Sequence, residues 1–250
     1  MVNQRPTKDI ARECRDGRIA IIAGREHKKF EPILQALKLD SRRLISNGPT
    51  VVLHLMLQQG IENPPFSGFD FRGKLSQPEI RPNLRPLSRR PLSWQPEDEA
   101  TDPDGEGVTY YFGGLAYLQV FFHPGIIESV DCGFYHGSFF AEDEDGKTIL
   151  CLDDLFEECV EAIERLLGIL CEVGVTSTVY AFLTLVNSAG ITLSVKRQLK
   201  LKHLNGLSVK KQDCKAELDI WCDAVSSRAD ALNVSLNIVS ALGSCASSKK

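Results

Sequence analysis

The chain has 250 residues, of which 43% are apolar and 25% charged, and a net charge of −4. This is ordinary globular composition, enough to bury a sizeable core, and its bulk charge excludes a general polyanion binder, so any nucleic-acid surface must be local. No apolar run reaches 18 residues and the N-terminus has no apolar signal-peptide stretch, which predicts a cytoplasmic protein with no membrane partner.

Eight cysteines stand at positions 14, 132, 151, 159, 171, 214, 222 and 245, and no two make a Cys-x-x-Cys pair. Several fall in apolar helical patterns, where a reduced cysteine packs as a small hydrophobe. The expectation is a reducing compartment, no disulfide framework and no structural zinc.

Near the N-terminus, ARECRDGRIAIIAG (residues 11–24) fits an amphipathic helix or, at 18–23, a short strand. Phe30, Ile33, Leu34 and Leu37 have helical spacing, with Pro32 acceptable in a first turn. Asn47-Gly48-Pro49 reads as a turn. The run TVVLHLML (50–57) predicts a strand buried on both faces, with His54 a hydrogen-bonded core histidine. Residues 58–75 read as an irregular loop.

Residues 76–108 carry prolines at 78, 82, 86, 91, 96 and 103, which forbids a regular helix. Arg81, Arg85, Arg89 and Arg90 come first; Glu97, Asp98, Glu99, Asp102, Asp104 and Glu106 follow. The segment reads as a solvated excursion or as an arginine-rich contact to nucleic acid or an acidic partner.

The segment 110–131, YYFGGLAYLQVFFHPGIIESVD, is the clearest β signal. Ala116, Leu118, Val120 and Phe122 alternate with a mixed face, predicting an interior strand over 115–122. His123-Pro124-Gly125 is a turn and 126–131 a second strand. A helix is predicted over 153–173 from Leu155, Phe156, Cys159, Ile163, Leu166, Leu167 and Leu170, with Asp154 and Glu157 as a capping box and Gly174 as its stop. Residues 178–186 predict another interior strand, 187–190 a hairpin loop and 191–195 its return.

Between 196 and 215 stand Lys196, Arg197, Lys200, Lys202, Lys210, Lys211 and Lys215, against the single acid Asp213. The charge suits a nucleic-acid contact or a solvated basic edge, and no interleaved aromatics are present to stack bases. Residues 214–232 read as a second amphipathic helix and 243–250 as a frayed tail.

No phosphate-loop, dinucleotide, zinc-protease or serine-hydrolase motif occurs. The candidate catalytic residues are His123, Asp131 and His136, near Glu128 and Cys132, as a hydrolase or nuclease site. No metal or cofactor is expected.

Taken together, Tyr117, Gln119, Phe121, Gly125, Ile127, Glu128 and Val130, followed by the acidic helix and VYAFLTLVNSAGITLSV, resemble the C-terminal region of bacterial Schlafen-type proteins. Those proteins begin with an Alba-like DNA-binding domain, which is expected to be missing from this chain. The resemblance implies an accessory or sensing module that binds a protein partner, linked to nucleic-acid regulation or defence.

The expectation is therefore one α+β domain: a mixed or mainly antiparallel sheet with amphipathic helices packed on one face. Residues 1–75 form its N-terminal part, 76–108 the excursion, 109–232 the main core and 233–250 the tail. Its function is expected to be non-catalytic partner binding, with nucleic-acid binding through Lys196, Arg197, Lys200, Lys202, Lys210, Lys211, Arg89 and Arg90 as the alternative.

Overall fold

A computed structural model describes residues 6–39, 48–63, 71–75, 77, 80, 84–87, 98–101, 107–112, 116–132, 139–221, 225 and 227–247. The helices are α1 (Thr7–Ile22), α2 (Glu31–Ala36), α3 (Gln58–Glu62), α4 (Phe71–Leu75), α5 (Leu152–Glu172) and α6 (Arg228–Ala241). The strands begin with β1 (Thr50–Leu57), β2 (Asp98–Thr101), β3 (Gly107–Phe112), β4 (Ala116–Phe121), β5 (Ile126–Cys132), β6 (Phe140–Glu142) and β7 (Thr148–Cys151). They continue with β8 (Thr178–Val186), β9 (Thr192–Ser194), β10 (Ser208–Val209), β11 (Cys214–Trp221) and β12 (Ala246–Ser247).

The fold is α+β. A seven-stranded sheet runs in the order β11-β8-β1-β5-β4-β3-β2, antiparallel throughout. A second sheet runs β12-β10-β9-β7-β6, with β7 and β9 parallel. As the alternation predicted, β4 lies inside the large sheet between β3 and β5, and β1 is buried along its whole length.

The two faces of the large sheet divide by residue parity. Leu53, Leu55, Leu118, Val120, Ile127, Leu183 and Leu185 point to one face, where Leu155, Cys159, Ile163, Leu166 and Leu170 of α5 meet them. On the other face α1 and α2 pack over Met56, Phe121, Ile126 and Phe182, and over Val52, Val130 and Val186. The sheet thus has helices above and below. That explains why β1, β5 and β8 read as nearly continuous apolar runs.

Several expectations are corrected. The ambiguous run near residue 18 is entirely helical. Residues 214–221 are strand β11, not helix: Cys214, Ala216 and Ile220 alternate with Lys215, Glu217 and Asp219, and period two prevails over the 3.6 spacing of Leu218 and Trp221. The second helix begins only at Arg228, where Ser227 and Asp230 form a reciprocal capping box. The expected tail over 233–250 is structured through Ser247, with Leu242 and Cys245 buried. Residues 191–195 do not return against β8; β9 leaves to build the second sheet. The loop 58–75 contains α3 and α4. Within the expected excursion, Ile80, Leu84 and Leu87 are buried in the core, so this part is not solvated.

Helix α5 has no side-chain cap, so Asp154 and Glu157 do not form the expected box. Asp153 is buried instead and accepts three backbone N–H groups, from Lys196 at 2.6 Å, Arg197 at 2.9 Å and Gln198 at 2.7 Å. The acidic start of the helix thus holds a distant loop rather than its own first turn.

The 123–125 turn packs against α3. Gly125 has φ of 61°, and Gly60 lies so close that an added Cβ would stand 1.9 Å from the Pro124 carbonyl oxygen. Helix propensity alone would make Gly60→Ala stabilising by up to about 1 kcal/mol. The steric contact outweighs this, and the substitution is expected to destabilise the protein by about 1–3 kcal/mol in urea unfolding.

Candidate functional site

Among the described residues, charged side chains gather in a buried cluster under α1, in the pairs between α1 and β11, in a cleft beside α5 and on an exposed basic rim of the second sheet.

The buried cluster is a row across the strands. Phe182 of β8, His54 of β1, Glu128 of β5 and Gln119 of β4 are consecutive cross-strand partners on the α1 face. Above them, Arg18 donates from Nε to Glu128 Oε2 at 2.8 Å and from Nη2 to Oε1 at 2.7 Å. His54 Nε2 lies 3.0 Å from Oε2, and the Tyr117 hydroxyl donates to Oε1 at 2.8 Å. Glu128 therefore accepts four hydrogen bonds, the full capacity of a carboxylate. Arg18 also donates from Nη1 to the Leu39 carbonyl at 2.7 Å and stacks over Phe121 at 4.9 Å. Arg15 stacks over Phe182 at the same distance.

The energetics follow from burial. Arg18, His54 and Glu128 are all 0% exposed. Burial opposes the charge of Glu128, but Arg18 outweighs it and, with His54, holds the carboxyl well below its ordinary range. Burial also opposes the Arg18 charge, and Glu128 more than offsets it. For His54, burial dominates and lowers the pKa, with Arg18 and Arg15 adding to the effect against Glu128. The ring is neutral with its proton on Nε2, because the buried Nδ1 has no partner to receive a second one. Burial, then the charge of Glu128, raises Tyr117 well above its ordinary value. The Glu128 carboxylate is saturated within the cluster, and Arg18, His54 and Glu128, all wholly buried, present no surface to a substrate. The cluster is a lock between α1 and three strands.

Outside the lock, charge pairs line α1 against β11. Lys8 meets Asp219 at 2.7 Å, Arg12 bonds Glu217, and Asp16 meets Lys215 at 2.8 Å. Four helical residues rise about 6.0 Å and two strand residues about 6.8 Å, so pairs recur in step along antiparallel elements. Each exposed pair is worth only about 0.2–1 kcal/mol, so the series sets register more than stability.

The cleft, of about 350 Å³, is lined by Arg85, Glu161, Glu164, Arg165, Glu172 and Arg228, among others. Arg228 faces Glu164 at 3.3 Å and Glu161 at 3.7 Å. Arg165 donates to the carbonyls of Arg85 at 2.7 Å and Pro86 at 3.2 Å, which straps residues 85–86 onto α5. Three arginines against three glutamates leave no net charge to select an ion.

The rim consists of two groups of exposed cations: Lys196, Arg197, Lys200 and Lys202 follow β9, and Lys210 and Lys211 follow β10, which runs antiparallel to β9, so the two groups stand at opposite ends of that strand pair. Asp153 fixes the backbone of residues 196–198, and a 3-10 turn over Leu199–Leu204 is anchored by buried Leu201 and Leu204. Arg197 pairs with Asp154 at 3.1 Å and Glu157 at 3.4 Å. Lys200, Lys210 and Lys211 have no ion pair among the described residues. Leu199 projects from the same turn, 80% exposed. Lys215 is not part of this surface, since it belongs to the α1 pairs.

Of the expected His123, Asp131 and His136 site, the two described residues, His123 and Asp131, are not brought together. His123 sits on the turn before β5 and Asp131 near that strand's far end. The five steps from Ile126 to Asp131 alone span about 17 Å, beyond any shared contact with one reacting atom. His136, Arg89 and Arg90 lie outside the described residues. Among the described residues no group of three His, Cys, Asp or Glu side chains is placed to hold a metal ion, and no helix is long and apolar enough to cross a membrane. No family model matches the chain, and neither a curated protein nor a solved structure does.

Sequence reasoning identified His54 as a hydrogen-bonded core histidine but missed Arg18, Tyr117, Gln119 and Glu128 as its setting. The signal available was Gln119 and Glu128 inside strand patterns, with an arginine at 18 embedded in an apolar run.

Two outcomes test the lock. Glu128→Leu or Arg18→Met alone leaves a buried charge without its partner and should cost about 3–5 kcal/mol in urea unfolding; the double variant should lose less than either. Because the folded-state pKa of His54 lies below the unfolded value of about 6.5, the unfolded chain takes up a proton that the native state refuses. Stability should therefore fall as pH drops below about 6.5, before carboxylate protonation begins, and His54→Gln should flatten that decline in thermal melts at pH 7.0 and 5.5.

Proposed function

We propose that the chain is a non-catalytic binding module of a cytoplasmic bacterial protein, and that the basic rim is its working surface for nucleic acid. The observation that carries this reading is the contrast between the two charged regions. The ionisable groups gathered in the interior are spent on each other, whereas Lys200, Lys210 and Lys211 project from a braced backbone without carboxylate partners among the described residues. A cationic surface held by buried leucines and by Asp153 suits phosphate contacts, which give affinity without reading sequence. The rim has no aromatic platform, so a duplex backbone fits it better than stacked single-stranded bases. The resemblance to Schlafen-type C-terminal regions supports an accessory role beside a nucleic-acid-directed partner.

Fluorescence anisotropy with a labelled DNA duplex is the test. Four phosphate contacts predict a roughly 100-fold fall in affinity between 50 and 200 mM salt. Replacing Lys200, Lys202, Lys210 and Lys211 by glutamate should abolish binding while leaving the urea midpoint nearly unchanged. Absence of binding by the native chain at 20 mM salt, on the order of one-tenth of physiological ionic strength, would refute the reading.

A further inference from the structure

Cys214 and Cys245 are brought together as a disulfide, with Cα atoms 5.5 Å apart and a sequence separation of 31. This corrects the expectation of a chain without disulfides. Cys14, Cys151 and Cys159 are not disulfide-bonded, and Cys222 lies outside the described residues. Burial pushes the Cys14 thiol up to about 12 and the Cys151 thiol up to about 11, which makes both unreactive. A chain with these unbonded cysteines fits a reducing compartment, where the pairs that do form are mostly switchable.

The position of the bond connects it to the rim. Cys214 opens β11, the edge strand of the large sheet, and Cys245 immediately precedes β12, the edge strand of the small one. Between β10 and β11 lies the turn that bears Lys210 and Lys211. Lys210 donates its backbone N–H to the Cys245 carbonyl at 3.1 Å. Beyond that, β12 holds β10 only through the two pairs Ser208–Ser247 and Val209–Ala246. The disulfide therefore clamps both ends of the segment that carries two of the rim lysines. The dithiol state also has a place here, since the Cys214 S–H can donate to the Leu242 carbonyl 3.3 Å away.

We propose that Cys214 and Cys245 form a reversible redox latch that sets the shape of the basic rim and thereby its hold on a polyanion. The inference rests on the nucleic-acid reading of that rim. A low-molecular-weight disulfide such as oxidised glutathione supplies the oxidant. Fraying of the short β12 exposes Cys245, the less buried of the two, whose thiolate attacks one sulfur of the reagent and releases one thiol. The Cys214 thiolate then attacks Cys245 Sγ in the mixed disulfide and expels the second thiol. Two protein thiols lose two electrons and two protons, and the reagent leaves as two thiols.

The test uses the full chain in three forms: oxidised with glutathione disulfide, reduced with a phosphine, and Cys245→Ser, each verified by intact mass. Duplex affinity is read by anisotropy, and amide hydrogen exchange is read over residues 208–211 and 245–247. The reduced and Cys245→Ser forms should bind at least about threefold more weakly than the oxidised form, as expected when a preorganised surface loosens. Both should exchange faster over those two segments, and Cys245→Ser should ignore the redox state. Equal affinity and equal exchange in oxidised and reduced protein would overturn the latch while leaving duplex binding intact. Loss of duplex binding in all forms, with exchange still dependent on redox state, would overturn the nucleic-acid reading and support the latch.

Discussion

The fold depends on one carboxylate. Glu128 sits at full burial on the central strand of the large sheet and accepts from Arg18 twice, from His54 and from Tyr117. A buried carboxylate is tolerated only when its charge is matched and its lone pairs are filled. Here both conditions are met by residues from α1, β1 and β4, so the cluster can form only when those elements are in register. An apolar replacement of equal volume would hold the layers together as firmly. It would not specify which turn of α1 lies over which strand, because Leu on Leu is indifferent to a shift of one residue.

That specification is extended outward by the charge pairs along β11. Lys8, Arg12 and Asp16 step down the helix by four while Asp219, Glu217 and Lys215 step back along the strand by two. The two rises differ by less than about 1 Å per step, so three pairs are satisfied before the mismatch matters. A helix with arginines at 12, 15 and 18 thus addresses β11 with the first, the Phe182 ring of β8 with the second and Glu128 of β5 with the third. The exposed pairs contribute little energy, but they reject the wrong register.

This arrangement shows what the sequence made legible. Runs such as TVVLHLML and TVYAFLTLV announced β1 and β8, because interior strands are apolar on both faces regardless of their neighbours. The helix α5 was equally plain from its 3.6 spacing. Strand β11 was hidden, since an edge strand with alternating charges and an exposed Trp221 also satisfies a helical template over eight residues. The buried cluster was half hidden: His54 was visible as a polar residue in an apolar strand, but the Glu128 it meets lies 74 residues further along the chain and 110 residues from Arg18. No local spacing encodes such a contact. The pairing of Cys214 with Cys245 was obscured for the same reason, as one was read in a helix and the other in a tail.

The placement of opposite charges on the small sheet keeps the lysines of the rim apart from its acids. The strand order β12-β10-β9-β7-β6 puts the basic residues around β9 and β10, while the acidic turn Glu142, Asp143, Glu144 and Asp145 joins β6 to β7 at the other edge. The acidic turn lies at the end of the parallel pair β7 and β9 opposite to Lys196, and two strand spacings, about 9.6 Å, from β10, whose end bears Lys210 and Lys211, so both groups stand beyond the Debye length of about 8 Å at physiological salt. The acids at that edge therefore neither neutralise the lysines nor repel a ligand seated on them. Among the described residues, Arg197 alone of the rim is drawn into local ion pairs, by Asp154 and Glu157 at the start of α5. Asp153, the one carboxylate buried beneath the rim, is directed at backbone amides instead of lysine ammonium groups. The fold thus uses acidic side chains to shape this surface without cancelling its charge.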